Sequence, residues 1–155
     1  MTAPVDTAGV IARPPLLYLT ALAAGVGLGF VWPLPLELGR WSWIGGGALI
    51  ALGLAFMAGA MLRFRRAGTN VETWRPTTAL VVDGPYRLSR NPIYVALTLA
   101  YVGIGLIAGN VWVLALAAPL LAVMRYGVIA REEAYLERKF GAPYLAYKAA
   151  VRRWL

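Results

Sequence analysis

The chain has 155 residues, 60% of them hydrophobic and 14% charged, with 15 Lys and Arg against 7 Asp and Glu. Soluble domains run nearer half apolar and a quarter charged, so the composition excludes an ordinary water-soluble enzyme and a disordered chain, and the length holds one domain. Neither cysteine nor histidine occurs, which removes disulfides, thiolate and imidazole metal ligands, and every catalytic scheme that turns on a His base or a Cys nucleophile.

Residues 1–12 are small or polar and read as a mobile tail. Pro14–Leu36 and Trp41–Leu62 then carry no charge over 23 and 22 residues. A helix crossing the hydrocarbon core needs ~20 apolar residues, so each run is one span, near 15–36 and 41–62. The first is longer than the ~7–15 apolar residues of a signal peptide and reads as a retained span closed by Pro33 and Pro35. Asn91–Met124 is uncharged over 34 residues, too long for one span and too short for two full ones with a loop. Gly109-Asn110 is a turn dipeptide, which predicts a tight hairpin of spans near 92–108 and 111–130. Asn91-Pro92 is a helix start, a capping residue followed by Pro at the first helical position. Pro119 should kink the last span.

Residues 131–155 form the C-terminal segment. Leu136 and Phe140 are one helical turn apart, Gly141 can close that helix, and Pro143 restarts a short one. Tyr144, Tyr147, Val151 and Trp154 fall on one face of it, as in a helix lying at a membrane surface or docked on the bundle. The expected fold is an all-α integral membrane protein with about four transmembrane helices, the last two a hairpin, in a single membrane domain over 13–155.

Lys and Arg set the orientation. Arg13, the six arginines from Arg63 to Arg90, and the six basic residues from Arg131 to Arg153 share one side of a four-span arrangement, and only Arg40 lies opposite. Both termini are therefore expected in the cytoplasm, with the inner (plasma) membrane the expected location if the protein is prokaryotic. The charge serves topology and lipid headgroups; no basic-aromatic module suggests nucleic acid. Gly25/Gly29 and Gly105/Gly109 have the small-xxx-small spacing, which fits packing within one bundle better than a homodimer.

The first two spans hold no ionisable residue, unlike an ion-coupled transporter. The polar groups gather in two segments flanking the hairpin, residues 80–94 and 131–147. Separately each reads blandly: Asp83-Gly84-Pro85 as a turn, Arg87 and Arg90 as phosphate contacts, Glu132 and Glu133 as a solvated helix face. A non-enzymatic transporter or assembly protein is the alternative reading.

Together the segments carry a resemblance. Gly84-Pro85-Tyr86-Arg87-x-x-Arg90-Asn91-Pro92-x-Tyr94, then Glu132-Glu133-x-x-Leu136 and Phe140-Gly141-x-x-Tyr144-x-x-Tyr147, resembles the isoprenylcysteine carboxyl methyltransferase family, which is related to the membrane phospholipid methyltransferases. The likeness spans about residues 76–154. It implies an S-adenosylmethionine-dependent methyltransferase, with S-adenosylhomocysteine as product, whose cofactor is enclosed by the hairpin and its flanking segments. It also implies a lipophilic acceptor arriving from the bilayer, an isoprenylcysteine-like carboxylate or a lipid amine. The family's Arg-His-Pro-x-Tyr motif falls on Arg90, Asn91, Pro92 and Tyr94, with Asn in place of His and Ala96 where Gly is common. Its paired glutamates fall on Glu132 and Glu133. Relatives carry an arginine one turn before a catalytic glutamate; here that position is Val128, and Arg125, two turns before Glu132, is the candidate to act with it. By the same resemblance Tyr86, Arg87, Arg90, Asn91, Pro92, Tyr94, Glu132, Glu133, Tyr144 and Tyr147 are the candidate cofactor ligands.

The chemistry suits these residue types. Displacement at a sulfonium needs alignment, a deprotonated nucleophile and exclusion of water, and no metal. An arginine meets the cofactor carboxylate, a glutamate its hydroxyls or amine, and aromatic faces its cation.

Overall fold

In a computed structural model of the chain, residues 6–72 and 75–155 are described; Met1–Val5, the head of the expected tail, and Thr73 and Trp74 lie outside them. Six α-helices follow one another: α1 Pro14–Val31, α2 Arg40–Ala67, α3 Pro92–Ile107, α4 Val111–Val123, α5 Ala130–Phe140 and α6 Ala142–Ala150. A 3-10 turn covers Gly84–Arg87, and a π-helical turn, Met124–Ile129, joins α4 to α5. α1, α2 and the continuous helix Val111–Phe140 are long and apolar enough to cross a membrane, and α3 is a shorter apolar helix. The 16 residues of α3 rise roughly 24 Å at 1.5 Å per residue. α1 and α2 carry exposed large apolar side chains such as Leu19, Phe30, Trp43 and Leu54, which water would penalise and lipid accepts. The chain is an all-α integral membrane protein.

The helices alternate in direction. At one end the α1–α2 loop meets the hairpin tip: the Leu36 amide donates to the Gly109 carbonyl at 2.8 Å, and Val111 to Leu34 at 3.4 Å. Asn110 caps α4, its side-chain oxygen accepting from the amides of Trp112 and Val113 at 3.0 and 3.2 Å. Gly109 takes a positive φ of 57°, which a glycine adopts without strain. Both termini and the two polar segments lie at the other end.

Small residues decide how closely the helices approach. A Cβ added at Gly103 of α3 would stand 2.6 Å from the Gly46 carbonyl oxygen, and one at Gly46 would stand 2.6 Å from the Gly103 oxygen. α2 and α3 therefore touch backbone to backbone, the contact small residues permit in lipid. Gly25 of α1 meets Val113 of α4 in the same way, and Gly105 meets Leu114, so the spaced glycines pack within this chain. Tyr18 ties α1 to α3, its hydroxyl within 2.8 Å of Thr98 Oγ1 and donating to the Tyr94 carbonyl at 3.3 Å.

Two details add to the sequence reading. The helix that holds the last expected span continues past residue 130 to Phe140, with no proline between Pro119 and position 143 and the first break in helical φ at Gly141, at 58°. Pro119 lies inside α4, and the hydrogen-bond pattern changes at Met124–Ile129. A π turn shifts which residues share a face. The Gly127 carbonyl of this turn accepts the Ile11 amide at 3.2 Å.

Residues 6–12, part of the expected tail, lie as a strap along α5. Arg131 Nη1 donates to the Gly9 carbonyl at 2.8 Å, and Lys139 Nζ pairs with Asp6 Oδ2 at 2.5 Å. α6 is docked on the bundle: Tyr144 is buried, and Trp154 packs against the core around Tyr18, Tyr94 and Met124.

A candidate cofactor cavity at the polar end

The cavity forms where α3 begins and α5 leaves the bundle. Its walls include Arg90, Tyr94, Glu132, Glu133, Tyr144 and Tyr147, together with Tyr86, Asn91 and, from the strap, Ala8. Eight of the eleven residues singled out in the sequence thus meet around one space.

Local structure fixes each of them. The Gly84–Arg87 turn is oriented by an ion pair between Arg63 Nη1 and Asp83 Oδ2 at 2.9 Å, and Phe64 packs on the Tyr86 ring at 5.6 Å. The Tyr147 hydroxyl donates to the Tyr86 carbonyl at 2.7 Å, clasping α6 to this turn. Burial pushes the Tyr86, Tyr144 and Tyr147 hydroxyls well above the ordinary phenol range, so all three stay neutral donors at any physiological pH.

The two glutamates have different partners. Tyr94 Oη donates to Glu132 Oε1 at 2.5 Å. Glu133 is buried between two guanidinium groups. Arg153 forks onto it, Nε to Oε1 at 3.0 Å and Nη2 to Oε2 at 2.7 Å, while Arg90 Nη2 reaches Oε1 at 3.1 Å. The hydrogen bond to Glu133 raises the Arg153 pKa further above its usual value. Arg90 is as deeply enclosed as Glu133, with 9% of its side chain exposed. Its Nε and Nη1 are buried without a hydrogen-bond partner. Buried N–H donors are nearly always paired, so two orphaned ones on a cation at a cavity wall mark a place for an anionic acceptor.

Asn91 is spent on the scaffold. Its Nδ2 donates to the Arg153 carbonyl at 2.9 Å, which the Ser89 hydroxyl also meets at 3.2 Å. The Arg90 amide donates to the Arg152 carbonyl at 2.9 Å. Ser89–Asn91 thus grips the C-terminal segment. Pro92 is fully buried under the helix start, and Arg87 is exposed; neither lines the cavity.

Arg125 does not join Glu132. It lines a second, largely apolar groove with Val95, Thr98, Leu121 and Trp154, its guanidinium 5.4 Å from the Tyr126 ring. An α-helix would bring residues seven apart near one face; the π turn between them shifts that register. Arg153, Ser89 and Ala8 were not singled out from sequence. Arg153 is one of six basic residues in its segment and carries no signal that separates it from charges setting topology.

The profile of the family described as phospholipid methyltransferase matches residues 41–143. The chain belongs to that family. The match runs from α2 to the start of α6; it takes in residues 80–94 and the glutamate-bearing α5, and stops short of the wall residues Tyr144 and Tyr147. Among curated proteins, the nickel-cobalt-cadmium resistance protein NccN of Alcaligenes xylosoxydans xylosoxydans is 36% identical over 66 residues, covering 43% of this chain and 31% of that one. An uncharacterized protein of Haemophilus influenzae is 70% identical over 27 residues, 17% of this chain and 43% of the relative. The chain therefore spans less than half the length of either relative. No solved structure matches it. Membership places the chain in a membrane methyltransferase family, whose members generally use S-adenosylmethionine.

Proposed function

We propose that this family member transfers a methyl group from S-adenosylmethionine to a lipophilic acceptor, at the cytoplasmic end of a four-pass bundle with both termini in the cytoplasm. The observation that carries the reading is Arg90: a buried guanidinium with Nε and Nη1 unpaired, at a cavity that also offers carboxylates and five tyrosines. These residues fit the cofactor. Arg90 would hold its carboxylate, and Glu132 its hydroxyls or amine. The rings of Tyr86, Tyr94, Tyr144 and Tyr147 would face its cation and base. When bound, the cofactor supplies an electrophilic methyl on sulfur. The chain's own contribution is alignment and dryness, and Glu132 can accept a proton where the acceptor is an amine.

The cavity holds about 120 Å³, below the ~300 Å³ at which ligand pockets begin, so a nucleoside would need it to widen; the strap bearing Ala8 is one of its walls. For the acceptor, support comes from the groove beside Arg125. It is largely apolar and begins at Val95, the residue after Tyr94. A lipid tail lying there would place its head group near the cavity.

Calorimetry of S-adenosylhomocysteine in detergent tests the cofactor reading. The wild type should bind, and at least one of Arg90→Ala, Glu132→Ala and Glu133→Ala should lose about tenfold or more, since a hydrogen bond to a charged group contributes ~1.5–3 kcal/mol. A wild type that does not bind sinks the reading, and unchanged affinity in all three folded variants moves the site elsewhere. For the acceptor, a series with one head group and progressively shorter tails should lose activity steeply; equal turnover of the tail-less head group would favour a soluble acceptor.

A further inference from the structure

Arg153, in the segment after α6, reaches Glu133 at the cavity wall beside Arg90. The two oxygens of Glu133 are shared unequally. Arg153 takes both through its Nε–Nη2 fork, and Arg90 shares Oε1 through Nη2 alone. Arg90 Nε and Nη1 are left over. A lone Arg90–Glu133 pair would behave differently. A guanidinium and a carboxylate prefer the two-bond fork, and a carboxylate 8% exposed cannot turn to water for its remaining bonds. Without Arg153, Glu133 would swing onto Arg90 and consume one of its two unpaired donors.

The charge count agrees. Arg90, Arg153 and Glu133 sum to one positive charge; of the other carboxylates at the wall, Glu132 accepts from Tyr94 and Glu72 lies 4.0 Å from Arg75. Removing Arg153 cancels the positive charge of the trio, and with it the attraction for an anion. Backbone contacts hold Arg153 to this task. Ser89 Oγ and Asn91 Nδ2 both donate to its carbonyl, and the Arg90 amide donates to its neighbour Arg152. The same three residues that open α3 therefore anchor the arginine that keeps one of them available.

We propose that Arg153 is a positioning residue: by occupying both oxygens of Glu133 it keeps Arg90 Nε and Nη1 free for the carboxylate of the bound cofactor. This rests on the cofactor reading of the cavity. It assigns Arg153 a selective effect, on the carboxylate alone, that a residue merely holding the fold would not have.

The test compares two ligands by calorimetry in detergent: S-adenosylhomocysteine, and its decarboxylated analogue, which keeps the nucleoside, sulfur and amine. The full-length wild type, Arg153→Gln and Arg153→Lys are measured, with thermal unfolding as the check on folding. The wild type should prefer S-adenosylhomocysteine. Arg153→Gln should lose about tenfold or more of that affinity, about 1.4 kcal/mol, while binding the analogue within about threefold of wild type. Arg153→Lys keeps the charge but not the fork, and should fall between the two. If Arg153→Gln does not fold, the selective loss must appear in Arg153→Lys. Equal weakening of both ligands, or of neither, overturns the positioning role while leaving the cofactor reading intact. A wild type that binds neither ligand overturns both.

Discussion

The hydroxyl of Tyr94, on the first turn of α3, lies 2.5 Å from Oε1 of Glu132, on the first turn of α5. This bond joins the two arms of the hairpin at the end where the polar segments meet. Tyr94 is buried, so deleting its hydroxyl leaves the Glu132 carboxylate short of a donor in a place water reaches poorly. Tyr94→Phe should lower stability by about 1–3 kcal/mol, or roughly 2–4 °C in thermal midpoint per kcal/mol for a domain of this size. It should also cut methyl transfer about tenfold. Circular dichroism melts and a labelled-cofactor assay in detergent check both, and wild-type values in each would show that the bond serves neither purpose.

The α2–α3 contact predicts a contrast between neighbouring glycines. A methyl at Gly46 or Gly103 would press on backbone oxygen at 2.6 Å, whereas one at Gly45 or Gly47 meets nothing within 4 Å. Gly46→Ala and Gly103→Ala should each cost about 1–3 kcal/mol, as overpacking does. Gly45→Ala and Gly47→Ala should be neutral or slightly stabilising, since Gly in a helix interior is the poorer former. Thermal unfolding of the four variants in one detergent decides it; equal effects at all four positions would deny that the contact sets the helix spacing.

The strap along α5 is held at its far end by Asp6 and Lys139, and the Lys139 hydrogen bond holds the Asp6 carboxyl below its ordinary range. A carboxylate with a depressed pKa in the folded state contributes its contact above the unfolded value, near pH 4, and loses it as pH falls through the lower folded value. Hydrogen exchange at the Ile11 amide, bonded to the Gly127 carbonyl, reports the strap. After allowance for the intrinsic pH dependence of exchange, protection should persist above pH 4 and fall below it. Lys139→Gln should reduce protection at every pH above 4 and speed cofactor association. Unaltered protection in this variant would place the strap's attachment in its Gly9 and Ile11 bonds alone.

Four passes with cytoplasmic termini require that residue 155 and the Leu36–Trp41 loop lie on opposite sides. Reporter fusions at those two places should give opposite signals. The same side for both would refute the four-pass arrangement and leave α3, the short helix, as the segment that does not cross.

Much of the architecture was legible because lipid imposes simple rules. Backbone groups in hydrocarbon must be satisfied within the segment, so uncharged runs of sufficient length are helices, and the Gly109-Asn110 turn falls where the only short connection can. The motif residues also predicted that Arg90, Tyr94, Glu132, Tyr144 and Tyr147 would share one space, because they flank both ends of that hairpin. What sequence could not supply was the register of the last helix beyond Val123. The π turn at Met124–Ile129, whose Gly127 carbonyl accepts the Ile11 amide of the strap, shifts the register there, with Arg125 at the second groove and Glu132 at the cavity. Nor could it separate Arg153 from the other basic residues of its segment. A charge counted for topology is the same in any position along a tail, but a fork onto Glu133 exists only once Ser89 and Asn91 have fixed the chain across the start of α3. The sequence by itself determined the medium, the helices and the residue types of the site; pairing of the buried charges, and so which arginine donors stay open, was decided by the tertiary structure.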